Sequence, residues 1–158
     1  MKKQYAIILS AILLLLSACS GGNEPKTLEM AGLAEKLKTS GAFEERISSS
    51  MESIKANKAV SMFGADEADV EDAVYYGCVG ATTAEILIFQ CKDEAAASRV
   101  YNLADAHLTK QKEAYQSYAP EEAKKVDNAV KQQYGNYVIV VVSSDADTVK
   151  SVIEEATK

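Results

Sequence analysis

Five β-branched apolar residues in a row, Val138-Ile139-Val140-Val141-Val142, constrain the fold of this chain more than any other stretch. Such a run has no polar face to offer to water. As a strand it is apolar on both sides, so it is expected at the centre of a sheet with solvent excluded from both faces. Gly135-Asn136 stands just before it. Glycine meets the positive-φ requirement of a tight hairpin, and Val130 to Tyr134 and Tyr137 to Ser143 are therefore predicted to pair.

A second hairpin is predicted from Val74 to Val79 and Ile86 to Cys91 around the turn Gly80-Ala81-Thr82-Thr83. The glycines of Gly77-Cys78-Val79-Gly80 fit no phosphate-loop pattern and read as relaxing the strand before that turn. Elsewhere the apolar period is helical. Met30, Leu33, Ala34 and Leu37 predict a helix over 28–39 despite Gly32, with Gly41 as its C-terminal cap. Residues 42–63 carry Phe43, Ile47, Met51, Ile54, Val60, Met62 and Phe63 without a clean period, and are expected to cover the core as helix or loop. Asp93 to Tyr118 places Val100, Leu103, Ala104, His107, Leu108 and Tyr115 on one helical face, with Asp93 as N-cap. Pro120 opens a short helix with Glu121 and Glu122 in its first turn. The last helix is expected to begin near Asp145 and to bury Val149, Val152, Ile153 and Ala156. The fold class is then α+β: an antiparallel or mixed sheet built from two hairpins, with helices packed mainly on one face.

At the other end of the chain, Lys2 and Lys3 precede the apolar run Ala6 to Leu16, and small residues follow. That order is a secretory signal. A spanning helix needs roughly 20 apolar residues to cross ~30 Å of hydrocarbon, whereas this run is shorter and ends in Ser, Ala, Cys and Gly. Leu16-Ser17-Ala18-Cys19 resembles the bacterial lipobox at every position. The resemblance implies that Cys19 receives a diacylglyceryl thioether and that a signal peptidase cuts between Ala18 and Cys19. One acyl chain binds a membrane reversibly and two hold stably, at ~0.8 kcal/mol per buried methylene. The expected organisation is a cleaved signal at 1–18, a lipidated Cys19 and polar tether at 19–27, and one α+β domain at 28–158. The expected location is the extracytoplasmic face of a cell membrane.

Charge narrows the partners. The chain has 17 basic against 23 acidic side chains, and loss of Lys2 and Lys3 on cleavage makes the mature protein more acidic still. Phosphate binding needs clustered Lys and Arg, so nucleic acid is not an expected ligand.

Met62-Phe63-Gly64-Ala65-Asp66-Glu67-Ala68-Asp69-Val70-Glu71-Asp72, then Ala84-Glu85-Ile86-Leu87-Ile88-Phe89, Tyr118-Ala119-Pro120-Glu121-Glu122 and Gly135-Asn136-Tyr137-Val138-Ile139-Val140-Val141-Val142-Ser143 occur in that order. Together they resemble the bacterial lipoproteins of domain-of-unknown-function family 4358 over most of residues 28–157. The resemblance implies an extracytoplasmic lipoprotein of a single-membrane bacterium and no particular activity. Phe63 stands where the family motif usually has Tyr, and Cys78 and Cys91 depart from it; both differences bear on local packing.

Chemical signatures are sparse. The acids Asp66, Glu67, Asp69, Glu71 and Asp72 lack the glycine and final glutamate of a calcium loop, so capping by Asp66 and a solvated acidic face is expected, with no metal and no cofactor. Asp145 and Asp147 fit the start of a helix. His107 is the only histidine, and its place beside an apolar stripe suits a partly buried structural imidazole. Cys78 and Cys91 lie far apart along the predicted hairpin, roughly 20 Å at ~3.3 Å per residue. A disulfide spans Cα separations of only ~4.4–6.8 Å, so two free thiols are expected. Two function classes remain. The favoured one is a tethered, non-enzymatic interaction module for an envelope protein or a small ligand. The alternative is an enzyme acting on envelope or external substrates through carboxylates such as Glu85, Asp66 or Asp69.

Overall fold

A computed structural model describes residues 27–158. The signal segment 1–18, its cleavage site at Ala18 and Cys19, the lipid attachment at Cys19 and the tether up to residue 26 lie outside the described residues. No helix among the described residues is long and apolar enough to cross a membrane.

The chain runs α1 (Met30–Thr39), α2 (Glu45–Ser50), β1 (Met51–Ile54) and α3 (Ala56–Phe63), then a 3-10 turn at Glu67–Asp69. It continues through β2 (Val70–Cys78), β3 (Glu85–Cys91), α4 (Glu94–Tyr115), α5 (Pro120–Asp127), β4 (Val130–Tyr134), β5 (Tyr137–Val142) and α6 (Ala146–Ala156). The α+β class holds, and every strand pairing is antiparallel, in the order β1-β2-β3-β5-β4. Both expected hairpins are present. β1 is an addition, set on the edge against β2. Its four residues are apolar only at the ends, too short a run for alternation to show.

Side-chain parity divides the sheet into two cores. Ile86, Ile88, Ile139 and Val141 point to one face, where Leu33 and Leu37 of α1 and Val149 and Ile153 of α6 cover them. Leu87, Phe89, Val138 and Val140 point to the other, under Val60 and Phe63 of α3 and Val100 and Ala104 of α4. Helices therefore occupy both faces, not mainly one as the sequence order suggested. The reason lies in β5, all six of whose residues are buried: water has to be kept from both of its sides.

Local chemistry sets the helix boundaries. Asp93 accepts the Ala96 N–H at 2.7 Å to start α4, and Asp145 accepts from Asp147 and Thr148 to start α6. Gly32 is explained by α1's own cap: its N–H donates to Glu29 Oε2 at 2.6 Å, and an added Cβ would lie 2.1 Å from that oxygen. Gly135, at φ 56°, makes the two-residue turn between β4 and β5.

Candidate functional site

Glu85 is the first residue of β3, on the parity of Leu87 and Phe89, so the strand aims its carboxylate beneath α4. It is 2 % exposed. An unpaired carboxylate there would cost several kcal/mol of lost hydration. Along α4, residues Val100, Ala104 and His107 fall on one helical stripe, and the stripe brings His107 Nε2 to 2.7 Å from Glu85 Oε1. His107 is 9 % exposed and stacks on Phe63 with ring centroids 4.5 Å apart; Phe63 in turn packs on Phe89 at 4.8 Å. His107 lies beside the apolar stripe as its spacing predicts, but it is buried rather than partly buried, and its partner Glu85 does not follow from that spacing. Tyr75 completes the cluster from β2. Burial, with the nearby Glu85 charge adding to it, pushes its phenol well above the ordinary value, so the hydroxyl keeps its proton. Gly77 leaves room for that ring: a Cβ there would sit 3.1 Å from the Tyr75 hydroxyl.

Next to this pair the loop between β2 and β3 is pinned from the helices. Glu122 of α5 accepts the Thr83 N–H at 2.9 Å, the Thr82 hydroxyl at 3.0 Å and the Thr83 hydroxyl at 3.1 Å on Oε2, while Oε1 meets Lys125 Nζ at 2.8 Å. Burial alone would raise the Glu122 pKa. Lys125 and the Thr83 and Thr82 bonds outweigh it, and the carboxyl is held below its usual range. From α4, Gln111 donates to the Thr83 carbonyl at 3.2 Å and Tyr115 to the Thr82 carbonyl at 2.9 Å. Two large apolar side chains stand exposed beyond these braces. Val79 is 91 % exposed and Tyr118 62 %, with Tyr118 against the Tyr115 ring at 5.3 Å.

The acidic run divides. Asp66 accepts the Ala68 N–H and starts the 3-10 turn, as a cap should, and Glu67, Glu71 and Asp72 are exposed. Asp69 does not belong to a solvated face. It is buried, with Arg99 Nε and Nη2 at 2.7 and 2.6 Å on its two oxygens and Lys92 Nζ at 3.4 Å. This bidentate Arg99 contact leads the causes that lower its pKa to about 2. Asp69 therefore ties the start of β2 to α4. It is also remote from Glu85: Val70 pairs with Cys91 and Gly77 with Glu85, so the two carboxylates mark opposite ends of the hairpin, about 20 Å apart at ~3.3 Å per residue. Glu85, Asp66 and Asp69 do not converge on one site.

Among the described residues no group of His, Cys, Asp and Glu is arranged to hold a metal ion. Cys78 and Cys91 are both free thiols. The hairpin register explains their separation: Cys91 faces Val70, while Cys78 lies across from Met51 on β1. Burial pushes the Cys91 thiol up to about 11.

Residues 45–143 match the model of a domain of unknown function, DUF4358. No curated protein and no solved structure is a match to the chain.

Proposed function

The chain belongs to the DUF4358 family, and from that starting point we propose that it is a lipid-anchored extracytoplasmic interaction module that binds an envelope protein. What carries the reading is the exposure of Val79 and Tyr118 next to a loop that Glu122 and Tyr115 brace through Thr83 and Thr82. A Tyr ring and an apolar tip on a fixed backbone lose little freedom on binding, which is the property of interface anchors. The anchor half of the proposal is supported by Leu16-Ser17-Ala18-Cys19 behind a short apolar run. Cleavage before Cys19 and its diacylglyceryl group would hold the protein at the membrane, and the polar tether would let the domain reach its partner.

The test is affinity capture from detergent-solubilised membranes with the wild type and a Val79→Ser/Tyr118→Ala double variant. A partner held in stoichiometric amount by the wild type and lost by the variant is the expected result. Equal recovery by both proteins would contradict the assignment of this face. In parallel, Cys19→Ala should accumulate as an uncleaved precursor without lipid. A mature, salt-resistant membrane form of Cys19→Ala would overturn the anchor.

A second reading, an enzyme using Glu85, draws support from its 2.7 Å contact with His107, because a carboxylate that orients an imidazole is a common general-base pair. Against it stand the burial of both groups and the stacking of Phe63 on the ring. In the favoured reading this pair locks β3 to α4 and touches no ligand.

A further inference from the structure

The sheet has two edges, and they are guarded unequally. β1 is four residues long, carries the exposed Glu52, and is followed at once by α3. Short length and an exposed charge are the usual protection against pairing with another chain. β4 is the less guarded of the two, because no charged side chain points outward from it. It is five residues long and contains no proline, and its one cation is turned inward: Lys131 Nζ lies 2.6 Å from Asp105 and 4.0 Å above the Tyr101 ring on α4. Gln133 is turned the same way, onto Ser98 and the Glu94 carbonyl.

The two-residue turn fixes which main-chain groups face out. Tyr134 pairs with Tyr137 directly across Gly135-Asn136 and is hydrogen-bonded; the alternation then bonds Gln132 and Val130 to β5 and leaves the N–H and C=O of Lys131 and Gln133 pointing away from the sheet. Among the described residues those outward groups have no partner beyond the ladder.

We propose that this edge pairs with the same edge of a second copy of the chain, antiparallel about a two-fold axis through Gln132, to give a continuous ten-stranded sheet. The register follows from the chemistry. Lys131 opposite Gln133 of the second copy, and the reverse, gives four main-chain hydrogen bonds from the four outward pairs of groups. Gln132 then faces its own copy in a close, non-hydrogen-bonded pair, where two amides complement each other. Val130 meets Tyr134 on the same face, so an apolar contact closes each end. No like charges meet, because each Lys131 is already held by Asp105 of its own chain. The contact is small, so association is expected to be weak and to depend on concentration. This proposal is independent of the lipid anchor and of the Val79 and Tyr118 face.

Cross-linking reads the register directly. In the full chain purified in detergent, Gln132→Cys should oxidise to a disulfide-linked dimer, because facing non-bonded residues have Cα atoms about 4.5 Å apart. Glu52→Cys on the better-guarded edge should not. Sedimentation should show a reversible dimer in the wild type that Gln133→Pro abolishes, since proline there removes an outward N–H and leaves the inward ladder intact. Should Gln133→Pro fail to fold, Gln132→Lys places like charges across the axis and should give a folded monomer. Three results would overturn the proposal, leaving β4 at most to a strand from some other protein: a wild type that remains monomeric at all concentrations, a Gln132→Cys variant that cross-links no faster than Glu52→Cys, or a dimer indifferent to folded Gln133→Pro or Gln132→Lys.

Discussion

The two faces of the sheet are built from the same strands yet solve different problems. Under α1 and α6 the inward residues are hydrocarbon or nearly so, with Ile86, Ile88, Ile139 and Val141 meeting Leu33, Leu37, Val149 and Ile153. Under α3 and α4 the corresponding residues begin with a carboxylate, and the helix supplies the imidazole that makes it tolerable. The first face needs only volume. The second needs identity, because the buried Glu85 is acceptable only while His107 is present. That difference fixes α4, and through Gln111 and Tyr115 the loop below Val79, in one position.

Removing one member of the pair should have the largest effect. Glu85→Ala or His107→Ala leaves a buried polar group unmatched, and is expected to cost about 3–5 kcal/mol in urea unfolding. Replacing both with apolar residues, Glu85→Met with His107→Phe, should recover most of that loss or exceed wild-type stability. A double variant no more stable than either single one would show that the pair does not act as a unit.

Much of this was legible in the sequence, and the gaps have physical causes. The run Val138–Val142 and the Gly135-Asn136 turn implied an interior strand, while helical spacing placed α1, α4 and α6, because each signal is local. The placement of helices on both faces was implicit in that same strand but outweighed by the order of elements. β1 was missed because Met51-Glu52-Ser53-Ile54 has no alternation to detect. Glu85 precedes the apolar run Ile86 to Phe89, so the run by itself places the carboxylate outside the strand. Its parity with Leu87, Phe89 and Cys91 marks it as inward, and a buried acid needs a donor; His107 on the α4 stripe was the candidate to test. Asp69 was lost among its acidic neighbours, since nothing local connects it to Arg99, 30 positions further on.

On the apolar face Ile139→Ala should cost about 2–5 kcal/mol through lost burial and the cavity left behind. Here a second truncation beside it should not restore stability, in contrast to the polar pair. Chemical denaturation of Ile139→Ala and Ile139→Ala/Ile88→Ala checks this; recovery in the double variant would erase the distinction between the faces.

Loss of the α4 cap is a smaller effect. Asp93→Ala should destabilise by about 1 kcal/mol, whereas Asp93→Asn or Asp93→Ser should retain most of the stability, because the cap needs an acceptor rather than a charge. Thermal melts of the three variants separate these outcomes.

The Asp69 tie sharpens the comparison by pH. Its folded pKa of about 2 lies below the ordinary 3.8, so its ionised form is favoured by folding. Its contribution is therefore full above about pH 5 and is lost as pH falls through the folded value of about 2. Relative to Asp69→Asn, the wild-type advantage in unfolding free energy should shrink across that window and be flat above it. An advantage that grows on acidification would reverse the assigned sign.

The functional account turns on which of two neighbouring features meets a partner, the exposed Val79 and Tyr118 or the enclosed Glu85 and His107. Capture from solubilised membranes with two folded variants, Val79→Ser/Tyr118→Ala and Glu85→Met/His107→Phe, measures this directly. The account requires the first to lose the stoichiometric partner and the second to retain it; retention by the first with loss by the second would contradict it.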